Sequence, residues 1–249
     1  VLETDSPAAI RRQVSFSEAV YDGTATVEGV TAERIASANR ASVNHVLEEG
    51  RVPLLVDPEG SSIPLLKPDI VVDAIIAKKN LGTAKEMAPL VIGVGPGFTA
   101  GEDVDLVVES MRGHNLARIL ETGSALANTG IPGNIGGYTK ERVIHAVAEG
   151  YMKNIHQIGD VVQKGEEIAR IYEQMSTDGI FSGKFVSVEA TIPGVLRGLI
   201  REGYHFQKGF KIADIDPRES ELANCFTISD KASSIGGSVL EAVCRYVNG

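Results

Sequence analysis

Cysteine is scarce. Only Cys225 and Cys244 occur, 19 residues apart and without CxxC or histidine partner spacing. Neither a disulfide framework nor a zinc ribbon is indicated, and a reducing cytoplasmic setting is expected. Long hydrophobic runs are missing as well: none approaches the roughly 20 residues that cross a bilayer. The chain opens without a basic segment, an apolar segment or a starting Met, so no secretory signal is expected. Clustered positive charge is lacking too. The formal net charge is -9, and Arg11-Arg12 and Lys78-Lys79 are short runs, which argues against nucleic acid or an anionic membrane as partner. His45, His145, His156 and His205 show no ligand spacing, so no metal is expected. The motifs GxxxxGK[ST], GxGxxG, GxSxG and SxxK are all absent from the candidate loops, which removes the usual signatures of P-loop, dinucleotide and serine-nucleophile chemistry.

What is present is an ordinary globular composition, 43% hydrophobic and 23% charged over 249 residues, enough for two modest domains. Residues 1–140 read as a Rossmann-like α/β domain. Val1-Leu2-Glu3-Thr4-Asp5 looks like a short strand ending in acids, as in the second strand of a dinucleotide-binding unit. The chain is therefore expected to be an N-terminally truncated or partly observed form of a longer protein. Ala19-Val20 and Ala25–Val27 look extended, and 31–49 carries helical spacing with Val30, Ile35, Val43, Val46 and Leu47 on its buried face. Three apolar runs follow, 52–57, 70–77 and 89–94, as expected of strands covered on both faces; a short fourth strand is expected at 105–109. Residues 113–140, rich in Gly, Asn, Thr and Pro, are expected to be an ordered connection with turns at Ile131-Pro132-Gly133 and Gly136-Gly137.

A repeat dominates the second half. At an offset of 44, residues 146–171 align with 190–215, and nine of the 26 positions agree: Ala146/Ala190, Gly150/Gly194, Gly159/Gly203, Gln163/Gln207, Lys164/Lys208, Gly165/Gly209, Ile168/Ile212, Ala169/Ala213 and Ile171/Ile215. Such repetition reports a supersecondary unit whose apolar face is buried against its own copy. The run Gly159-Asp160-Val161-Val162-Gln163-Lys164-Gly165 resembles the half-motif of biotinyl/lipoyl-type domains. Residues 141–219 are therefore expected to form a barrel-sandwich hybrid β domain. Lys184 lacks the Met-Lys-Met and Asp-Lys-Ala settings of modified lysines, so covalent biotin or lipoate is not expected. Residues 220–249 are expected to form a C-terminal helical segment packed on the α/β domain, with Ser229 or Asp230 as its cap.

Chemistry is expected where Gly93-Val94-Gly95-Pro96-Gly97-Phe98-Thr99-Ala100-Gly101 follows an apolar strand. Backbone amides at Gly95, Gly97 and Gly101, with the Thr99 hydroxyl, suit an oxyanion. A tight packing turn is the competing reading. Arg112 and His114 lie just after the next strand, where α/β proteins place binding groups; Arg112 suits an anion and His114 is the candidate acid/base.

Taken together, 91–101, Arg112-Gly113-His114, 133–142, 214–218 and Ile228-Ser229-Asp230-Lys231-Ala232 resemble the YqeB family over essentially the whole chain. The resemblance implies an accessory role in maturation of selenium-dependent molybdenum hydroxylases, with the apo-hydroxylase and a small anionic ligand as partners, and a nucleotide or the molybdenum cofactor as the bound group. Family members open with a strand and a glycine-rich loop that this sequence lacks. Two alternatives stand beside this: a nucleotide-dependent transfer enzyme acting on molybdenum cofactor or selenium species, and a carrier module modified at Lys184. No selenocysteine is present, and nothing in the sequence specifies an oligomeric state.

Overall fold

Two residues, Glu28 and Gly29, carry positive φ of 48° and 85°, the geometry of a tight hairpin turn whose twist matches its strands. They join β2 (Thr24–Val27) to β3 (Val30–Ile35), and Val27 pairs with Val30. This hairpin overrides the helical spacing expected from Thr31; the helix α2 begins only at Arg40 and runs to Glu48. The expected extended stretch at Ala19 is instead one helical turn, α1 (Ala19–Asp22), closed by Gly23. With β1 (Leu2–Glu3) and β4 (Val52–Val56), the strands form a sheet of order β1-β4-β3-β2, parallel except for the hairpin. Ala19, Val20, Ala32 and Leu54 make its core.

The protein is described here from a computed structural model over residues 1–130 and 133–249, and the expected turn at Ile131-Pro132 lies outside the described residues. The chain divides into two compact units, Val1–Ser37, Ala41–Pro58 and Ile131–Thr227 in one and Ala38–Arg40, Glu59–Gly130 and Ile228–Gly249 in the other. The stretch expected as a single segment, 1–140, is thus shared between both units.

In the second unit, a short helix α3 (Ile63–Leu66) precedes β5 (Ile70–Asp73), β6 (Leu90–Val94), β7 (Thr99–Ala100), β8 (Leu106–Val108), β9 (Ile119–Leu120) and β10 (Gly123–Ser124). The main sheet has order β5-β6-β8-β9, with β5, β6 and β8 parallel. β6 is buried at every position, because Val91 packs on one face with Phe98, Val104 and Val107 while Leu90, Ile92 and Val94 pack on the other. That second face is covered by Ile235, Val239, Ala242 and Val243 of α4 (Asp230–Asn248). Ser229 caps α4, its hydroxyl accepting the Ala232 amide. The run expected to continue as strand to Ala77 stops at Asp73, whose carboxylate accepts the Ile75 amide and turns the chain.

The first unit continues with β11 (Val143–His145), β12 (Gly150–Asn154), β13 (Val161–Val162), β14 (Glu167–Met175), β15 (Phe181–Glu189), β16 (Gly194–Leu199), β17 (His205–Phe206) and β18 (Lys211–Asp216). The 44-residue offset holds at strand starts: 150 and 194, 161 and 205, 167 and 211. One sheet has order β11-β18-β16-β13 and the other β15-β14-β12-β17, so each is the other with the two copies exchanged. A core of Met152, Ile168, Ile171, Leu196, Leu199, Ile212 and Ile215 fills the space they share. Gly150 and Gly194 are equivalent and both required. A Cβ on Gly150 would strike the Tyr172 carbonyl and one on Gly194 the Asp216 carbonyl, at φ of 153° and 147°. The N-terminal segment is fastened to β16, where the Leu199 amide donates to the Ile10 carbonyl (2.9 Å) and Arg12 Nε donates to the Leu199 carbonyl (2.8 Å). The chain is thus a mixed α/β protein with several sheets.

Candidate functional site

Parallel strands β5, β6 and β8 end side by side at Asp73, Val94 and Val108, the end of such a sheet at which ligands are commonly held. Two buried carboxylates shape the loops there. Asp73 accepts the Ile75 amide (3.0 Å) and the Thr83 hydroxyl (2.6 Å); Glu109, 3% exposed, accepts the Met111 amide (2.6 Å) and the Leu126 amide (2.8 Å). Both acids have a partner on each oxygen, which fits them for holding loops rather than moving protons.

In the glycine loop, expected to cradle an oxyanion, three amides have partners within the protein. The Gly95 amide donates to the Val108 carbonyl (2.8 Å), the Thr99 amide to Asp103 (2.9 Å) and the Gly101 amide to the Val104 carbonyl (2.8 Å); the Thr99 hydroxyl is engaged with that of Ser124 (3.0 Å). Close approach accounts for the glycines. A Cβ on Gly95 would lie 2.7 Å from Ser110 Oγ, and one on Gly97 would lie 2.7 Å from the Lys79 backbone. Thr99 and Gly101 therefore belong to the β7 turn, whereas Gly95 and Gly97 face Ser110 and Lys79. Arg112 is spent as well: its Nη1 and Nη2 donate to the two Asp230 oxygens at 2.7 and 2.9 Å, and that pairing raises its pKa. His114 is exposed in the turn after β8.

Two groups missed by sequence reasoning sit at this sheet end. Ser110 is 6% exposed, and its hydroxyl lies against Gly95. Lys231, in the first turn of α4, has its pKa pushed down by burial, then by the charge of Arg112, with Glu109 acting the other way. The Ser229 cap was the signal that could have placed Lys231, since it fixes which residues enter the first helical turn. Backbone strain accompanies them: Ile76 and Lys78, on the loop after β5, hold φ of 58° and 66°, a cost usually concentrated at functional sites.

The other unit carries a cleft of about 650 Å³. Arg201 on its wall donates to Glu18 (2.8 Å) and to both oxygens of Asp22 (2.7 and 3.0 Å), and lies over the Tyr21 ring at 4.5 Å. Its charge is already answered. Lys184 lies within β15, its amide donating to Glu173 (3.2 Å), away from the hairpin tip at 176–180.

No family model matches the chain. Several solved structures resemble parts of it. The ectoine utilization protein EutE (DoeB) from Ruegeria pomeroyi is 18% identical, over 40% of this chain and 28% of that one, with a TM-score of 0.27. An aspartoacylase family protein from Mesorhizobium loti is 14% identical over 42% and 32%, and a succinylglutamate desuccinylase from Silicibacter sp. 17% identical over 51% and 45%, both with a TM-score of 0.26. Among curated proteins, the uncharacterized protein YqeB of Escherichia coli (strain K12) is 47% identical over 248 residues, and the chain spans 43% of its length. On that identity, over the whole of this chain, the chain belongs to the YqeB family.

Proposed function

We propose that this chain is the part of an accessory protein for maturation of selenium-dependent molybdenum hydroxylases that holds an anionic, nucleotide-like or molybdenum-cofactor ligand, and that it docks on the apo-hydroxylase in the cytoplasm. The motif resemblance to the YqeB family supports the pathway. The observation that carries ligand binding is the Lys231 amine beside the Arg112–Asp230 pair, with Ser110 against Gly95, at the carboxyl ends of β5, β6 and β8. In this reading the β5-β6-β8 sheet is Rossmann-like, and the 44-residue strand repeat supports a barrel-sandwich hybrid of the biotinyl/lipoyl type acting as scaffold.

Calorimetry of the protein against nucleotides, molybdopterin and selenophosphate tests the site. Lys231→Met is expected to weaken the bound anion by about tenfold, the scale of one lost charge-assisted hydrogen bond. Unchanged affinity in that variant would remove the site. A transfer enzyme is the second reading, favoured by the depressed pKa of Lys231, since perturbed amines cluster where chemistry is done. Turnover of a bound nucleotide that disappears in Lys231→Met while binding survives would select it.

A further inference from the structure

Two stretches of the resemblance, 133–142 and 214–218, take no part in that site, yet they meet in the other unit. Asp214 and Asp216 lie two apart on β18 and so share one face of the strand. Four guanidinium groups gather around them. Arg218 donates to both oxygens of Asp216 (2.9 and 2.8 Å), Arg197 reaches Asp216 at 3.4 Å, and Arg142 stands 3.6 Å from Asp214. Arg11 donates to the carbonyls of Asn224 and Thr227 (3.0 and 3.1 Å), and burial, then the Arg197 charge, push its pKa down.

The backbone is built to bring these groups together. Leu196 pairs with Ile215 and Gly198 with Asp214, which leaves Arg197 as the extra residue of a bulge, a device that re-aims a side chain. Gly198 lets the N-terminal segment lie flat, since a Cβ there would sit 2.6 Å from Ile10, the residue before Arg11. Gly136 similarly seats the 133–139 loop on Pro217, and Arg142 donates to the Gly133 carbonyl (3.4 Å).

The cluster is not balanced. Counting Lys211 beside Asp214 and Glu221 beside Arg218, five cationic side chains face three carboxylates. The Nε groups of Arg11, Arg142 and Arg197 are buried without a hydrogen-bond partner among the described residues, and Arg142 is 5% exposed as a whole. Buried guanidinium N–H groups without acceptors are costly, and an excess of two positive charges in one place calls for a compact dianion. Guanidinium forks match the oxygens of a tetrahedral oxyanion. The approach is graded: the Arg218 side chain is 43% exposed and that of Arg142 is 7%, so an anion enters past Arg218.

We infer that Arg11, Arg142, Arg197 and Arg218 form a binding site for a phosphate dianion, free or as the phosphomonoester of a larger ligand, separate from the Lys231 site. The probe is inorganic phosphate, compared with sodium chloride at equal ionic strength, in thermal unfolding and calorimetry of the whole chain. Phosphate is expected to raise Tm where chloride does not. Arg197→Gln is expected to weaken phosphate binding at least tenfold and to abolish the Tm shift. Arg218→Gln, on the exposed side, does the same in a variant that keeps its fold. Lys164→Gln, which removes one positive charge from an exposed turn, retains the shift. Absence of a phosphate-specific shift in the unmodified protein, a full shift in both arginine variants, or loss of the shift in Lys164→Gln would each overturn the site. A phosphomonoester such as adenosine monophosphate, binding more tightly than phosphate, identifies the larger ligand; tighter binding of phosphate identifies the free anion.

Discussion

Glu167 shows how a surface acid is held charged. Arg170 donates to both its oxygens and Ser187 to one, and its carboxyl is drawn down to about 2. A depressed acid contributes fully above its ordinary value of 4.5 and loses that contribution as pH falls through about 2. In carboxyl NMR titrations, Glu167 is expected to stay ionised well below the other glutamates, and Arg170→Ala to raise it part of the way towards the ordinary range, because the Ser187 hydroxyl still donates to it. Lys231 runs the other way. Burial is the first cause of its lowered pKa and Arg112 the second, so Arg112→Gln is expected to raise it only part of the way towards a free lysine. No change on titrating that variant would mean that Arg112 does not face Lys231. At this scale the sequence was partly legible. It placed the glycine loop after a buried strand, but the partners of the Gly95, Thr99 and Gly101 amides are the Val108 carbonyl, Asp103 and the Val104 carbonyl, and backbone acceptors leave no mark on residue type. The Arg112 pairing with Asp230 joins residues 118 apart, which no local pattern announces.

Among elements, the repeat was the most legible feature, because buried and turn residues such as Gly150/Gly194, Gly159/Gly203, Ile168/Ile212 and Ile171/Ile215 recur at an offset of 44. Gly194→Ala places a methyl against the Asp216 carbonyl at a φ that L-residues avoid. Urea unfolding is expected to show a loss of about 1–3 kcal/mol, with Gly150→Ala similar; a loss confined to one of the two would break their equivalence. β3 was misread as the start of a helix because Ile35 falls in helical spacing with Val43, Val46 and Leu47 of α2. The turn at Glu28-Gly29 decided otherwise, and Glu is an uncommon residue at positive φ. The strand expected to 77 ended early because a single carboxylate, Asp73, captured a backbone amide.

For the whole molecule, the grouping of residues 1–37 and 41–58 with 131–227 was the least legible feature. It rests on contacts such as Arg201 with Glu18 and Asp22, 183 and 179 residues away. Arg201→Ala leaves both carboxylates without that partner. Hydrogen exchange is expected to speed up in β2 and β3 while β12, β14 and β16 keep their protection. Uniform acceleration across both regions would show instead that the variant loosens the β-rich half itself.

The exchange of copies between the two sheets also has a temporal side. Val143 pairs with Asp214 and Gly150 with Phe206, so neither sheet can close while only the first copy has left the ribosome. Pairings this distant in the chain make for slow folding, on the scale of milliseconds to seconds for small β proteins. Until β18 emerges, the first copy waits with its apolar face open, and the nascent chain is at its most aggregation-prone just before its last strand is made.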